Sequence, residues 1–170
     1  MSRFQIPIFI LAFKPRDVGL IGNIGHLSAE WSLSFDFICG EYPGNWYKLL
    51  LVSKNQEIHQ QFGGRVPSVF LNKDGKIWVY SYLNSATSYG FIRYSVNLNQ
   101  TYSFEINHRY VSNGVYRYNF IVDGVEAFST TNTPGRQFHN VKFYGANLPW
   151  RGPPGELDVE LSNVKHTNFL

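Results

Sequence analysis

The chain has 170 residues, 44% hydrophobic and 17% aromatic, which suits one domain with a substantial core and excludes general disorder. Its formal charge of +3 comes from 15 Lys plus Arg against 12 Asp plus Glu, and the basic residues are scattered, which argues against a nucleic-acid face. A single cysteine, Cys39, excludes an intradomain disulfide and a multi-cysteine metal site.

Fourteen Phe, 11 Tyr and 4 Trp favour strands. The N-terminal stretch is apolar but short, carries Pro7, and lacks a small-residue cleavage site before Lys14-Pro15-Arg16. It therefore reads as a first strand near a sheet edge rather than a signal peptide. No run approaches the length of a membrane span. Gly22-Asn23-Ile24-Gly25 reads as a turn. Trp31, Leu33, Phe35 and Phe37 then alternate with Ser32, Ser34 and Asp36, the pattern of a strand with one buried face. Cys39 closes that pattern and reads as a small buried hydrophobe, not a nucleophile.

Pro43-Gly44-Asn45 turns the chain into an apolar strand at 48–53, and Gly63-Gly64 into another at 66–71. Asp74-Gly75 joins that strand to 76–83 as a hairpin, with Trp78, Tyr80 and Tyr82 sharing a face. Residues 102–111 alternate Phe104, Ile106, His108 and Tyr110 with Ser103, Glu105, Asn107 and Arg109. Asn113-Gly114 leads into 116–122, and Asp123-Gly124 into 125–129. Strands at 141–144 and 157–164 follow, separated by Gly152-Pro153-Pro154-Gly155. About ten short strands without an amphipathic helix predict an all-β, antiparallel two-sheet β-sandwich spanning 1–170. Its first and last strands, 4–12 and 157–164, should lie side by side.

The second half carries a resemblance. Tyr118-Asn119-Phe120-Ile121-Val122-Asp123-Gly124-Val125, then Val141-Lys142-Phe143-Tyr144-Gly145, then Gly155-Glu156-Leu157-Asp158-Val159-Glu160-Leu161 resemble laminin G-like and related concanavalin A-like lectin domains. The match covers roughly residues 90–165. Tyr144-Gly145-Ala146-Asn147-Leu148-Pro149-Trp150 is similar to a tryptophan-bearing loop of some invertebrate extracellular domains of this sort. The resemblance implies a jelly roll, an extracellular or secreted location, and a glycan or glycoprotein partner. Several members use calcium, which is the cofactor so implied, but no calcium ligand set maps onto this sequence.

Two residue sets could recognise a sugar. Loop aromatics Trp46 and Tyr47, and Trp150 followed by Arg151, offer flat apolar surfaces beside polar groups. Asn107 and Arg109 on one strand, with Arg117 and Asn119 on the next, offer planar polar groups that would sit side by side if the strands pair through Asn113-Gly114. The alternative for that set is an ordinary solvated sheet face with cross-strand ion pairs. Glu156, Asp158 and Glu160 share a strand face and resemble the E-x-D-x-E signature of laminarinase- and lichenase-type glucanases. That resemblance implies Glu156 as nucleophile and Glu160 as acid/base. Only Leu161 to Leu170 follow the motif, which favours a solvated terminal strand over a catalytic cleft.

The five histidines show no close ligand spacing, and His108 falls on an apolar strand face. Asn99-Gln100-Thr101 is a glycosylation sequon, a weak sign of secretion. The leading expectation is a non-catalytic, lectin-like module for recognition or cell adhesion, with no nucleic-acid partner and no membrane insertion. The alternatives are a protein-interaction or structural module, including a homo-oligomer, and a glycoside hydrolase using Glu156 and Glu160.

Overall fold

The computed structural model describes residues 5–13, 19–54, 61–145 and 157–169. The strands are β1 (Gln5–Phe13), β2 (Leu20–Leu27), β3 (Glu30–Cys39), β4 (Tyr47–Ser53), β5 (Ser68–Leu71), β6 (Lys76–Leu83), β7 (Ala86–Ser95), β8 (Tyr102–Ser112), β9 (Val115–Val122), β10 (Val125–Asn132), β11 (Phe138–Gly145) and β12 (Val159–Phe169). They form two six-stranded sheets, ordered β1-β12-β3-β8-β9-β10 and β2-β11-β4-β5-β6-β7, and every pairing is antiparallel. The first and last strands pair as expected, with Pro7 opposite Thr167 on the edge strand β1.

Alternation explains the packing. On β3, Trp31, Leu33, Phe35, Phe37 and Cys39 are buried while their neighbours are not. They meet Phe104 and Ile106 of β8 and Phe120 of β9 on the same sheet, and Leu50, Val52, Val69, Leu71, Ile77 and Val79 from the opposing sheet. The Phe104 ring lies 5.4 Å from both Phe35 and Phe120. Removing one such ring costs about 3–5 kcal/mol, a large fraction of a domain's stability. Cys39 is fully buried, and burial followed by the nearby Asp158 carboxylate pushes its thiol up to about 11. It therefore stays protonated and inert, as its place in the pattern implied.

The Asn113-Gly114 and Asp123-Gly124 hairpins form as expected, with positive φ at all four residues. Two parts of the fold differ from the sequence reading. Gly22-Asn23-Ile24-Gly25 lies inside β2: Asn23 Oδ1 accepts the Gly25 N–H at 2.9 Å, and register shifts against β11 absorb the irregular backbone. The turn chemistry is real but serves a bulged strand. β7 also escaped the alternation. Its Gly90 sits opposite Tyr80, and a Cβ there would meet the Tyr80 ring, so the glycine lets the ring lie flat on the edge strand.

One end of the sandwich is tied across the two sheets. The Asn84 N–H in the β6–β7 turn donates to Asn132 Oδ1 at the end of β10 (2.7 Å). Asn84 Nδ2 donates to the Thr131 carbonyl, and Asn84 Oδ1 accepts the Thr133 N–H, both at 2.9 Å. Asn132 Nδ2 in turn lies 2.9 Å from His108 Nε2.

Candidate functional site

The outer face of the second sheet holds a cleft of about 520 Å³. Its walls include Asn45, Trp46, Asn72, Asp74, Trp78 and Arg93, with Lys73 and Lys76 at the β5–β6 hairpin. The hairpin is fixed by Asn72, whose Oδ1 accepts the N–H groups of Asp74 (3.1 Å) and Lys76 (2.9 Å). Asn45 Oδ1 accepts the Trp46 N–H at 2.8 Å and sets the loop before β4. Trp46 keeps 39% exposure and packs edge-on against Trp78, with centroids 5.1 Å apart, and against Phe70 at 6.2 Å. An exposed indole braced by a second indole presents a rigid aromatic wall at small entropic cost.

From this cleft the aromatic face runs along the sheet. Trp78 and Tyr80 lie nearly parallel, at 11° and 6.2 Å, and Phe70 meets Tyr80 edge-on at 5.7 Å. Cations lie over these rings. The Arg93 guanidinium is 4.6 Å from the Trp78 centroid, and Arg65 is 5.0 Å from Tyr80 and 5.5 Å from Phe70. Lys48 Nζ is 5.7 Å from Phe70. Sequence reasoning found Trp46 and the shared face of Trp78 and Tyr80. It found the Asp74-Gly75 hairpin too, but not Asn72 as its clasp, nor Arg65 and Arg93; Arg93 joins Trp78 only through the unrecognised β7.

Tyr47 parts company with Trp46. It pairs opposite Leu71, whose side chain is in the core, and packs against that core. Trp150 and Arg151 lie outside the described residues.

On the first sheet, β8 and β9 do pair through Asn113-Gly114, with Asn107 opposite Asn119 and Arg109 opposite Arg117. These polar groups are brought together, but much of their hydrogen-bonding capacity is already used. Arg117 Nη2 donates to both Glu126 oxygens, at 2.6 and 2.7 Å, and its Nε to Ser129 Oγ at 3.1 Å. Asn119 Nδ2 donates to Glu126 Oε2 at 2.9 Å. The Asn119 and Arg117 hydrogen bonds hold the Glu126 carboxyl below its usual range. Arg109 Nε lies 3.3 Å from Glu30 Oε2, and its guanidinium sits over the Phe169 ring.

Of the glucanase-like string, the described carboxylates, Asp158 and Glu160, do not line the cleft. Glu156 lies outside the described residues. Asp158 and Glu160 are exposed, and Glu160 sits on β12, between β1 and β3 of the first sheet. The cleft belongs to the other sheet.

Strand pairing brings two histidines together that sequence spacing had kept apart. His26 on β2 and His139 on β11 have Nδ1 atoms 3.3 Å apart. No group of three or more His, Cys, Asp or Glu able to hold a metal occurs among the described residues. His108 is buried, as its pattern implied, with Nδ1 2.6 Å from the Ala29 carbonyl. His166 is also buried, against Trp31 at 6.3 Å, and neither ring nitrogen has a hydrogen-bond partner among the described residues. Burial lowers both imidazoles to about 4.

No protein-family model matches the chain, and neither does any curated protein. Solved structures do. The endo-β-1,4-glucuronan lyase of the fungus Trichoderma reesei superposes with a TM-score of 0.56 at 10% identity, over 98% of this chain and 75% of that one. A heptameric SAP-like pentraxin from Limulus polyphemus gives 0.55 at 12% identity, over 86% of this chain and 67% of that one. A structure of botulinum neurotoxin type C, whose cell entry depends on two ganglioside molecules, gives 0.58 at 12% identity; the match covers 99% of this chain but only 44% of the toxin chain. At these identities the likeness carries the fold and no chemistry. Twelve antiparallel strands in two facing sheets among the described residues, superposing on these structures over most of the chain, make this an all-β, two-sheet sandwich of the jelly-roll kind.

Proposed function

We propose that the protein is a non-catalytic carbohydrate-recognition module whose binding face is the outer face of the second sheet. The observation that carries this reading is the cleft in which exposed Trp46 stands against Trp78, with Asn45, Asn72, Asp74 and Arg93 around it. A pyranose offers an apolar C–H face and a rim of hydroxyls. An aromatic wall with amide, carboxylate and guanidinium groups at its edge complements both.

The solved neighbours support the same class. One is named for its action on a glucuronan and another for dependence on gangliosides. The sequon residue Asn99 is exposed, which supports an extracellular setting. The Asn107, Arg109, Arg117 and Asn119 set is the weaker candidate, since Arg109, Arg117 and Asn119 already serve Glu30 and Glu126. Trp150 and Arg151 remain candidates for a second contact. The protein-interaction reading would draw on exposed Val111, near the end of β8, and Val125, at the start of β10.

The test is a glycan array probed with the wild-type protein and with Trp46→Ala, in calcium and again in chelator. Selective binding that the variant loses is expected. The chelator arm reads the calcium dependence implied by the resemblance. Silence of the wild-type protein in both conditions would overturn the reading and put the protein-interaction module first.

A further inference from the structure

The charges of the two sheets are unequal. On the strands of the second sheet the charged residues are Lys48, Lys76, Arg93 and Lys142, with no carboxylate. On those of the first they are Glu30, Asp36, Glu105, Glu126 and Glu160 against Arg109, Arg117 and Lys165. A net charge of +3 conceals this division. The cleft lies on the basic sheet and adds Lys73. The carboxylate among its described lining residues, Asp74, is engaged by Asn72 Nδ2 at 3.3 Å. No ion pair joins Lys73, Lys76 or Arg93 to a carboxylate among the described residues.

The cations are also placed, not only present. Arg93 lies over Trp78, and Arg65 over Tyr80 and Phe70. Stacking on a ring restrains a guanidinium and leaves its in-plane N–H groups directed outward from the stack. It also covers ring surface that a neutral sugar would use. A concave site with like charges and little internal compensation focuses a positive potential, and a ligand that brings negative charge relieves it.

Resting on the carbohydrate reading above, we propose that this face recognises an anionic saccharide. Arg93 and Lys76 would meet the acidic group, and Trp46 the sugar ring. The planar guanidinium fork suits a carboxylate, so the ligand class is a carboxylate-bearing glycan.

The experiment is affinity electrophoresis through gels containing sodium polygalacturonate, dextran sulfate or neutral dextran, at low and at physiological salt. The variants are Arg93→Gln, Lys76→Gln and, as a control of equal charge loss on the other sheet, Lys165→Gln. Polygalacturonate should retard the wild-type protein more than neutral dextran does, less so at high salt. Arg93→Gln should weaken that retardation about tenfold, as expected for losing one charge-assisted contact. Lys165→Gln should behave as wild type. Equal weakening by all three variants would mean net charge alone and would overturn the proposal. Retention by dextran sulfate alone would overturn the carboxylate assignment. Binding to neutral dextran alone would overturn the anionic class yet leave the carbohydrate reading intact, whereas a glycan array silent for the wild-type protein would remove both. Thermal melts of each variant separate lost binding from lost folding.

Discussion

On the first sheet, Arg117 grips Glu126 at 2.6 Å and Arg109 reaches Glu30 at 3.3 Å. On the second, Arg93 rests on Trp78 and Arg65 on Tyr80, and the strands offer them no carboxylate. The first face reads in sequence as a candidate binding surface, whereas of the second only Trp46, in the loop before β4, does. The faces differ in where their arginines are held. A face whose arginines already hold carboxylates must break those contacts before it can bind. Arg93, which lies on a ring and has no ion pair to a carboxylate among the described residues, keeps its strong donors available.

The inner faces differ as well, and the largest predicted effect comes from there. The two buried histidines among the described residues, His108 on β8 and His166 on β12, belong to the first sheet. Their folded-state values, about 4, lie below the ordinary histidine value near 6.5. Above pH ~6.5 both states are neutral at these sites and stability is fully present. As pH falls towards 4 the unfolded chain takes up protons that the folded one refuses, so stability drops, by up to roughly 3 kcal/mol per histidine. Urea midpoints at pH 7, 5.5 and 4.5 should fall in that order. A midpoint unchanged from pH 7 to 4.5 would mean that the imidazoles titrate freely.

Next in size is the contrast between outer faces. Trp46→Ala should cost about 2 kcal/mol of glycan affinity, roughly thirtyfold, by calorimetry with the best array ligand. Arg109→Ala and Arg117→Ala should stay within about twofold of wild type, because their partners lie within the protein. The reverse pattern would move the site to the first sheet.

His166→Phe sharpens the inner-face contrast. It replaces two nitrogens without a partner among the described residues, beside Trp31, with a ring of similar shape, and should raise stability by about 1 kcal/mol at pH 7. The expected gain in Tm is about 2–4 °C. A lower Tm would show that the imidazole is satisfied in a way the described residues do not reveal. Smallest is Arg117→Ala: the exposed pair with Glu126 should leave Tm without a measurable change.

The alternation of β3, β6, β8 and β9 was legible because each strand buries one face, so period two is written in residue type. β2 and β7 were not, because bulges interrupt that period in both, and in β7 so does Gly90, packed against the Tyr80 ring. The same limit shaped the site. Trp78 and Tyr80 sit two apart on one strand and declare their shared face. Arg93 reaches Trp78 only through the β6–β7 pairing. Tyr47 looked like a partner of Trp46 by adjacency, yet successive strand residues point to opposite faces, and a bulge between Lys48 and Leu50 adds to the ambiguity. For the first-sheet set, pairing was legible from Asn113-Gly114, but Glu30 enters only once β3 is known to lie beside β8.

The Asn84–Asn132–His108 chain has a grammar of its own. A carbonyl can only accept, so the contact with Ala29 assigns the ring hydrogen of His108 to Nδ1 and leaves Nε2 as acceptor for the Asn132 amide. Asn132 Oδ1 must then face the Asn84 N–H, and Asn84 must turn its own oxygen to Thr133. Each link reads in one direction only. A proton added at Nε2 would demand that Asn132 rotate, and the rotated amide would set N–H against N–H at Asn84. The error would pass from the interior of one sheet to a surface turn of the other, so the seam between the two sheets carries the record of a single proton.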